Sequence, residues 1–192
     1  MLGTRAALLD ATAACVEQSG LKKTTMGQIA VAGGVAKATL YNHFRTKDDI
    51  LAALVDSRVA SLGEQAAGRA ATHGLAAALE QVALQLAADP TLARLAGEQP
   101  VVLLPLTVPG QGRGWSLARA QVVAVLAAAS APTGPDAVDL VVRLLVSQVL
   151  WPASPAQART AAAAVAALLV PTASLLPASS ARPAVPGLGW PT

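Results

Sequence analysis

Side chains that could carry chemistry are scarce in this chain of 192 residues: charged residues make up 13% and aromatics 3%. The two histidines, His43 and His73, have no second ligand at metal spacing beside them. The lone cysteine, Cys15, rules out an intrachain disulfide framework, and a reducing compartment is the simplest setting. It falls on the apolar stripe of the first helix, which fits core packing better than redox sensing. No G-x-x-x-x-G-K loop is present to cradle a phosphate. Asp48 and Asp49 are adjacent carboxylates, but they occupy a helix first turn, where the dipole favours them. An enzyme would gather titratable groups in its larger part; this chain does not, so neither catalysis nor a metal or cofactor is expected.

Long apolar runs are also missing, although hydrophobic residues reach 54%. A membrane span needs about 18 uncharged apolar residues in a row. Here Asp139 and Arg143, or Pro152 and Pro171, interrupt every candidate. Asp10 and Glu17 break any signal-peptide core near the N-terminus. The expected location is therefore cytoplasmic. Bounded runs of alternating β-branched residues are lacking as well, which argues against strands. What remains is an alanine-dominated chain, favourable to helix, with glycine and proline as punctuation. The expected fold is all-α.

Positive charge is unevenly spread. Residues 1–47 carry six Lys/Arg against two carboxylates, whereas residues 48–192 carry eight against nine. The positive field thus sits on one small segment, as a nucleic-acid partner requires. Within it, Thr24 to Lys47 reads as helix, tight turn, helix. Thr25 with Gln28 makes a capping box. Gly33–Gly34 stop the first of these helices, and Val35 plugs the corner. Residues 37–43 form the next helix. At 100° per residue, Leu40 and Phe44 face inward. Ala38 and Asn42 lie opposite, flanked by Thr39 and Tyr41. Such a face suits a major groove, and Lys37, Arg45 and Lys47 suit phosphates. Thr46 with Asp49 forms a second capping box. An ordinary helical hairpin with a solvated face is the bland alternative.

The ordered set Thr25, Ile29, Ala30, Gly34, Val35, Thr39, Leu40, Tyr41, His43, Phe44, Lys47 and Ile50–Leu51 resembles the TetR family of bacterial transcriptional regulators. The resemblance covers roughly residues 5 to 55, and the T-L-Y-x-H-F-x-x-K run is its most specific part. It implies an N-terminal three-helix DNA-binding domain (1–46) and a larger helical ligand-binding and dimerisation domain (47–171). Lys37, Tyr41, His43 and Lys47 would then bind phosphate, and Ala38, Thr39 and Asn42 would face bases. Thr25, and more weakly Arg5, inherit a place near the DNA backbone. Two departures stand out. Ala36 replaces the usual hydroxyl residue that caps the recognition helix, which forfeits about 1 kcal/mol. Val16 stands where an aromatic is common.

Along the chain, Ala6, Leu9, Ala13 and Val16 give the first helix its amphipathic spacing. A long helix from Lys47 to about residue 71 has Ile50, Leu51, Leu54, Val55, Val59 and Leu62 on its apolar face; the resemblance makes it the lever for a conformational signal. Helices follow over residues 74–88 and from Pro90 to about Gly97. Val101 to Leu104 either packs in the core or lines a cavity, and Val108 to Gly114 is expected to be a mobile loop. Helices are expected over 115–130 and 136–150, and from Pro155 to about Val170. The last two are apolar on more than one face, which suggests a second copy. The resemblance makes them a four-helix dimer interface, with Val138, Val142, Leu145, Val149, Ala162, Val165 and Leu169 as candidates. Residues 172–192, rich in proline, serine and glycine, are expected to be disordered.

The function expected is a homodimeric DNA-binding regulator, a repressor released from its operator by a small apolar molecule. Leu86, Leu103, Leu106, Trp115 and Trp151 are the candidate pocket residues. A ligand-independent or architectural DNA binder is the alternative, and a helical interaction module without DNA affinity is a third reading.

Overall fold

A computed structural model describes residues 2–107 and 112–170, and among these the chain is helical throughout. The elements are α1 (Leu2–Ser19), α2 (Met26–Ala32), α3 (Lys37–His43), α4 (Lys47–Ala88), α5 (Pro90–Glu98), a 3-10 turn (Pro100–Leu103), α6 (Leu104–Thr107), α7 (Arg113–Ala128), α8 (Pro135–Leu150) and α9 (Pro155–Leu169). The all-α expectation holds. The proposed tail and most of the Val108–Gly114 loop lie outside the described residues; Arg113 and Gly114 already belong to α7.

Helix starts follow local chemistry. Thr25, Thr46 and Ser154 each form a complete capping box with Gln28, Asp49 and Gln157, which satisfies backbone donors that the helix leaves unpaired. Asp89 caps α5, accepting from the Thr91 and Leu92 amides at 2.9 and 3.0 Å. Within α4, Gly74 has φ +81° and ψ 172°, a conformation that only glycine adopts at low cost. It breaks the helical path where the sequence reads as two helices.

Three apolar clusters follow one another along the molecule. The first joins α1, α2 and α3 with Ile50, Ala53 and Leu54 of α4. The second, at the junction, gathers Val16, Leu21, Leu51, Val55, Leu92, Leu95, Leu103 and Leu106. The third lies among α4, α7, α8 and α9, with Leu79, Trp115, Leu126 and Val141 at its centre. Leu86 and Ala118 pack against both the second and the third. Fully burying a Leu or Ile contributes about 1.5–3 kcal/mol, so Leu8, Ile29, Leu40 and Ile50, each 0% exposed, hold the small head together.

Packing corrects several expectations. Ala6 is exposed, whereas Leu8 and Thr12 are buried. The inward stripe of α1 is therefore Leu8, Leu9, Thr12, Ala13 and Val16. Thr12 fits because its hydroxyl donates to the Leu8 carbonyl at 2.7 Å. Cys15 is half-buried at the edge of the head's core, where burial pushes its thiol pKa up. Of Val101 to Leu104, only Leu103 is fully inward; Val101 and Leu104 are exposed.

The interface candidates divide. Val138, Val142 and Ala162 are at most 2% exposed within their own chain, so they are core residues and are not available to a second copy. Leu145, Val165 and Leu169 are half-buried against the body core, and Val149 against the junction cluster. The apolar side chains left facing outward are Leu140 on α8 and Leu168 on α9, with the exposed Ala163, Ala164 and Ala167 beside Leu168.

Candidate nucleic-acid interface and body cavity

The turn between α2 and α3 is built by glycine. Gly34 has φ +65°. Its amide bonds the Val31 carbonyl at 3.1 Å, and the Val35 amide reaches the Ala30 carbonyl at 3.0 Å. These are the two hydrogen bonds of a Schellman motif. Val35, the residue after Gly34, packs against the head core. The turn thereby sets the angle at which α3 leaves α2.

Helix α3 buries Leu40 and is followed by the buried Phe44. Lys37, Ala38, Tyr41 and Asn42 are exposed, and Thr39 and His43 are half-exposed. Among the described residues, none of these side chains makes a hydrogen bond or ion pair. One outward face thus carries a small apolar group, a hydroxyl, a phenol and an amide. Lys37 sits at its start with its stem against α2: a Cβ at Gly27 would lie 3.1 Å from the Lys37 Cε. Thr25 is exposed at the start of α2. Ala36 provides no side-chain cap to α3.

Lys47 and Arg5 differ from expectation. The Lys47 ammonium is half-buried and donates to the Leu21 carbonyl at 2.9 Å and the Thr24 carbonyl at 3.4 Å. It ties α4 to the loop after α1, a structural task the motif did not indicate. The Arg5 guanidinium lies over the Phe44 ring, 5.3 Å from its centroid, an attraction between cation and ring face. It is thereby held beside the end of α3.

The head is clasped to the body by α5. The Thr91 hydroxyl donates to Glu17 at 2.7 Å. The Leu21 amide donates to Glu98 at 3.0 Å, and the Gln99 amide group to Asp48 at 3.0 Å. Desolvation raises the Glu98 pKa, but the hydrogen bonds from Arg94 and from the Leu21 and Lys22 amides, with the Arg94 charge, outweigh it. The carboxyl is left below its ordinary value.

In the body, a cavity of about 80 Å³ opens between α4, α7 and α8. Its walls are aliphatic, with Val59, Leu62, Val82, Leu86, Val122, Val142 and Leu145 prominent, and one polar side chain, Gln121. Of the five pocket candidates only Leu86 lines it. Leu103 and Leu106 line a separate crevice of about 10 Å³ with Val146 and Val149. Trp115 is core at 4% exposure, and Trp151 is 75% exposed beyond the end of α8. Leu145, an interface candidate, lines this cavity. Gln121 and Gly63 were missed; a glycine inside a long helix was the available signal, since it costs stability there relative to alanine. Among the described residues, no group of three or more His, Cys, Asp or Glu could hold a metal ion, and no helix is long and apolar enough to cross a membrane.

These features define a class: an all-α protein whose helix-turn-helix head is mounted on a larger helical body with an apolar cavity. The family model described as bacterial regulatory proteins, tetR family, matches residues 8–54. A curated relative, the HTH-type transcriptional regulator AcrR of Shigella flexneri, is 33% identical over 61 residues. That match spans 32% of this chain and 28% of the relative. Beyond the head the likeness is one of fold. The TetR family repressor AlkX from Dietzia sp., implicated in biodegradation of n-alkanes, superposes with a TM-score of 0.71 at 19% identity, covering 85% of this chain and 94% of AlkX. The fatty acid degradation regulator FadR from Bacillus halodurans gives 0.60 at 17% identity, covering 84% of this chain and 94% of its own. The head of this chain, residues 8–54, thus matches the DNA-binding part of the TetR family of bacterial regulatory proteins, and the body shares the fold of its solved structures.

Proposed function

We propose that the protein is a homodimeric transcriptional repressor that grips operator DNA through α3 and lets go when a small apolar effector fills the body cavity. One observation carries the DNA reading: the outward face of α3 has no intramolecular task among the described residues, yet it is exposed and fringed by cations. Lys37, Tyr41 and His43, with Arg5 and Thr25 beside them, bind phosphate. Ala38, Thr39 and Asn42 meet base edges; Asn suits adenine, and the Thr methyl suits thymine. Lys47 positions the head from behind. The head core takes in α4 as far as Leu54, so α4 belongs to head and body alike.

Two heads are needed to span successive major grooves, about 34–36 Å apart. The outward Leu140, Leu168 and the flat alanine surface of α9 supply the second copy's contact. The aliphatic cavity wall favours an apolar effector. Leu86 touches both cavity and junction clusters, which gives an occupant a path to α5 and thence to α1. An effector works only to the extent that it prefers one head spacing.

The test is a mobility-shift titration of the full chain on DNA upstream of its own gene. Binding should weaken steeply with salt as counterions compete. Absence of a shift at low salt, or indifference to salt, overturns the reading. Loss of the shift on adding lipophilic compounds separates an effector-controlled repressor from an architectural binder.

A further inference from the structure

We propose that Gln121 selects the ligand of the body cavity, and that this ligand is a small, uncharged, largely apolar molecule bearing a single hydrogen-bonding group. The inference rests on the effector reading above and specifies its chemistry.

Two residues that look misplaced explain each other. Gly63 sits deep inside α4, where glycine costs helix stability relative to alanine. Gln121 sits on α7 in a wall that is otherwise aliphatic. A Cβ built on Gly63 would lie 2.2 Å from the Gln121 Oε1, 2.6 Å from its Cβ and 2.7 Å from its Cδ. No alanine fits there while Gln121 holds its place. The missing side chain of Gly63 therefore makes the berth in which the glutamine lies.

Packing alone does not call for an amide there; a leucine or methionine would suit aliphatic neighbours better. The amide offers both a donor and an acceptor, and among the described residues it has no hydrogen-bonding partner. The side chain is half-buried, so its amide stays within reach of whatever enters the cavity. A ligand that brings one polar atom to it gains what a plain hydrocarbon cannot.

Charge narrows the class further. Among the described residues, no ionisable side chain lines the cavity; Arg119, Arg113 and Arg58 are paired with Asp139, Asp56 and Asp89. A carboxylate or ammonium would enter without a counter-charge, which an apolar cavity penalises. A hydroxyl, a carbonyl or an ester fits.

The experiment is calorimetric titration of the full chain with n-hexanol, n-hexane and hexanoate at neutral pH, repeated on Gln121→Leu. n-Hexanol should bind, and hexanoate should bind at least about tenfold more weakly. Gln121→Leu should weaken n-hexanol about tenfold or more and leave n-hexane within about threefold. Should Gln121→Leu fail to fold by circular dichroism, Gln121→Met carries the same comparison. Unchanged n-hexanol affinity in the variant overturns the inference. So does equal binding of hexanoate and n-hexanol, or binding of neither hexanol nor hexane. If n-hexanol binds through Gln121 but does not release DNA, the ligand inference stands and the effector reading falls. If lipophilic compounds release DNA equally from wild type and variant, the effector reading stands and the role of Gln121 falls.

Discussion

Tyr41 and Lys47 belong to the same motif yet do different work. Tyr41 is exposed and holds nothing in its own chain among the described residues. Tyr41→Ala should lower DNA affinity about tenfold, the scale of a lost charge-assisted contact, and leave helix content and oligomeric state unchanged. Collapse of the fold would show that the phenol is structural. Lys47 donates to two backbone carbonyls. Lys47→Met should lower the stability of the head by about 1 kcal/mol in a denaturant titration. The salt dependence of DNA binding should keep its slope, because a lysine on phosphate contributes about one unit to it. A reduced slope would return Lys47 to the DNA.

Among the elements, α3 is the least well begun. Ala36 leaves it uncapped, whereas α2 and α4 each start with a full capping box. Ala36→Ser should raise the melting temperature and stabilise the protein by about 1 kcal/mol. No gain would mean that solvent already satisfies those amides. Helix α5 is held to the loop after α1 through Glu98, whose carboxyl pKa lies below its ordinary value. A carboxyl of lowered pKa contributes stability above its unfolded value and loses it as pH falls through its folded value. The stability difference between wild type and Glu98→Gln should therefore be present at neutral pH and vanish in acid. A gap that is independent of pH would remove Glu98 from the clasp. The capping boxes, the glycine turn and the break near residue 74 were all legible in the sequence, because each is written within a few adjacent residues.

For the whole molecule, the proposed dimer turns on which face meets a second copy. Leu168 is 70% exposed on α9, so Leu168→Glu should leave the monomer's helix content and melting behaviour intact. Sedimentation should show the dimer dissociating. A well-behaved dimer from this variant would place the contact elsewhere. The sequence marked α8 and α9 as apolar on several faces, but it did not say which face turns inward. Val138, Val142 and Ala162 went to the body core, and Leu145 went to the cavity. Periodicity gives a helix its apolar arc, and only the neighbouring helices decide how that arc is divided.

The sequence by itself determined the helical class, the helix-turn-helix head and the outward face of α3, because hydrogen-bonded caps, glycine turns and 100° periodicity act over a few residues. Tertiary structure alone decided that Lys47 would hold the loop after α1, that Leu86 would border both the junction and the cavity, and that Gln121 would lie against Gly63. The Lys47 and Gln121 pairings join residues 23 to 58 positions apart, brought together by how helices pack, and no local pattern encodes that distance.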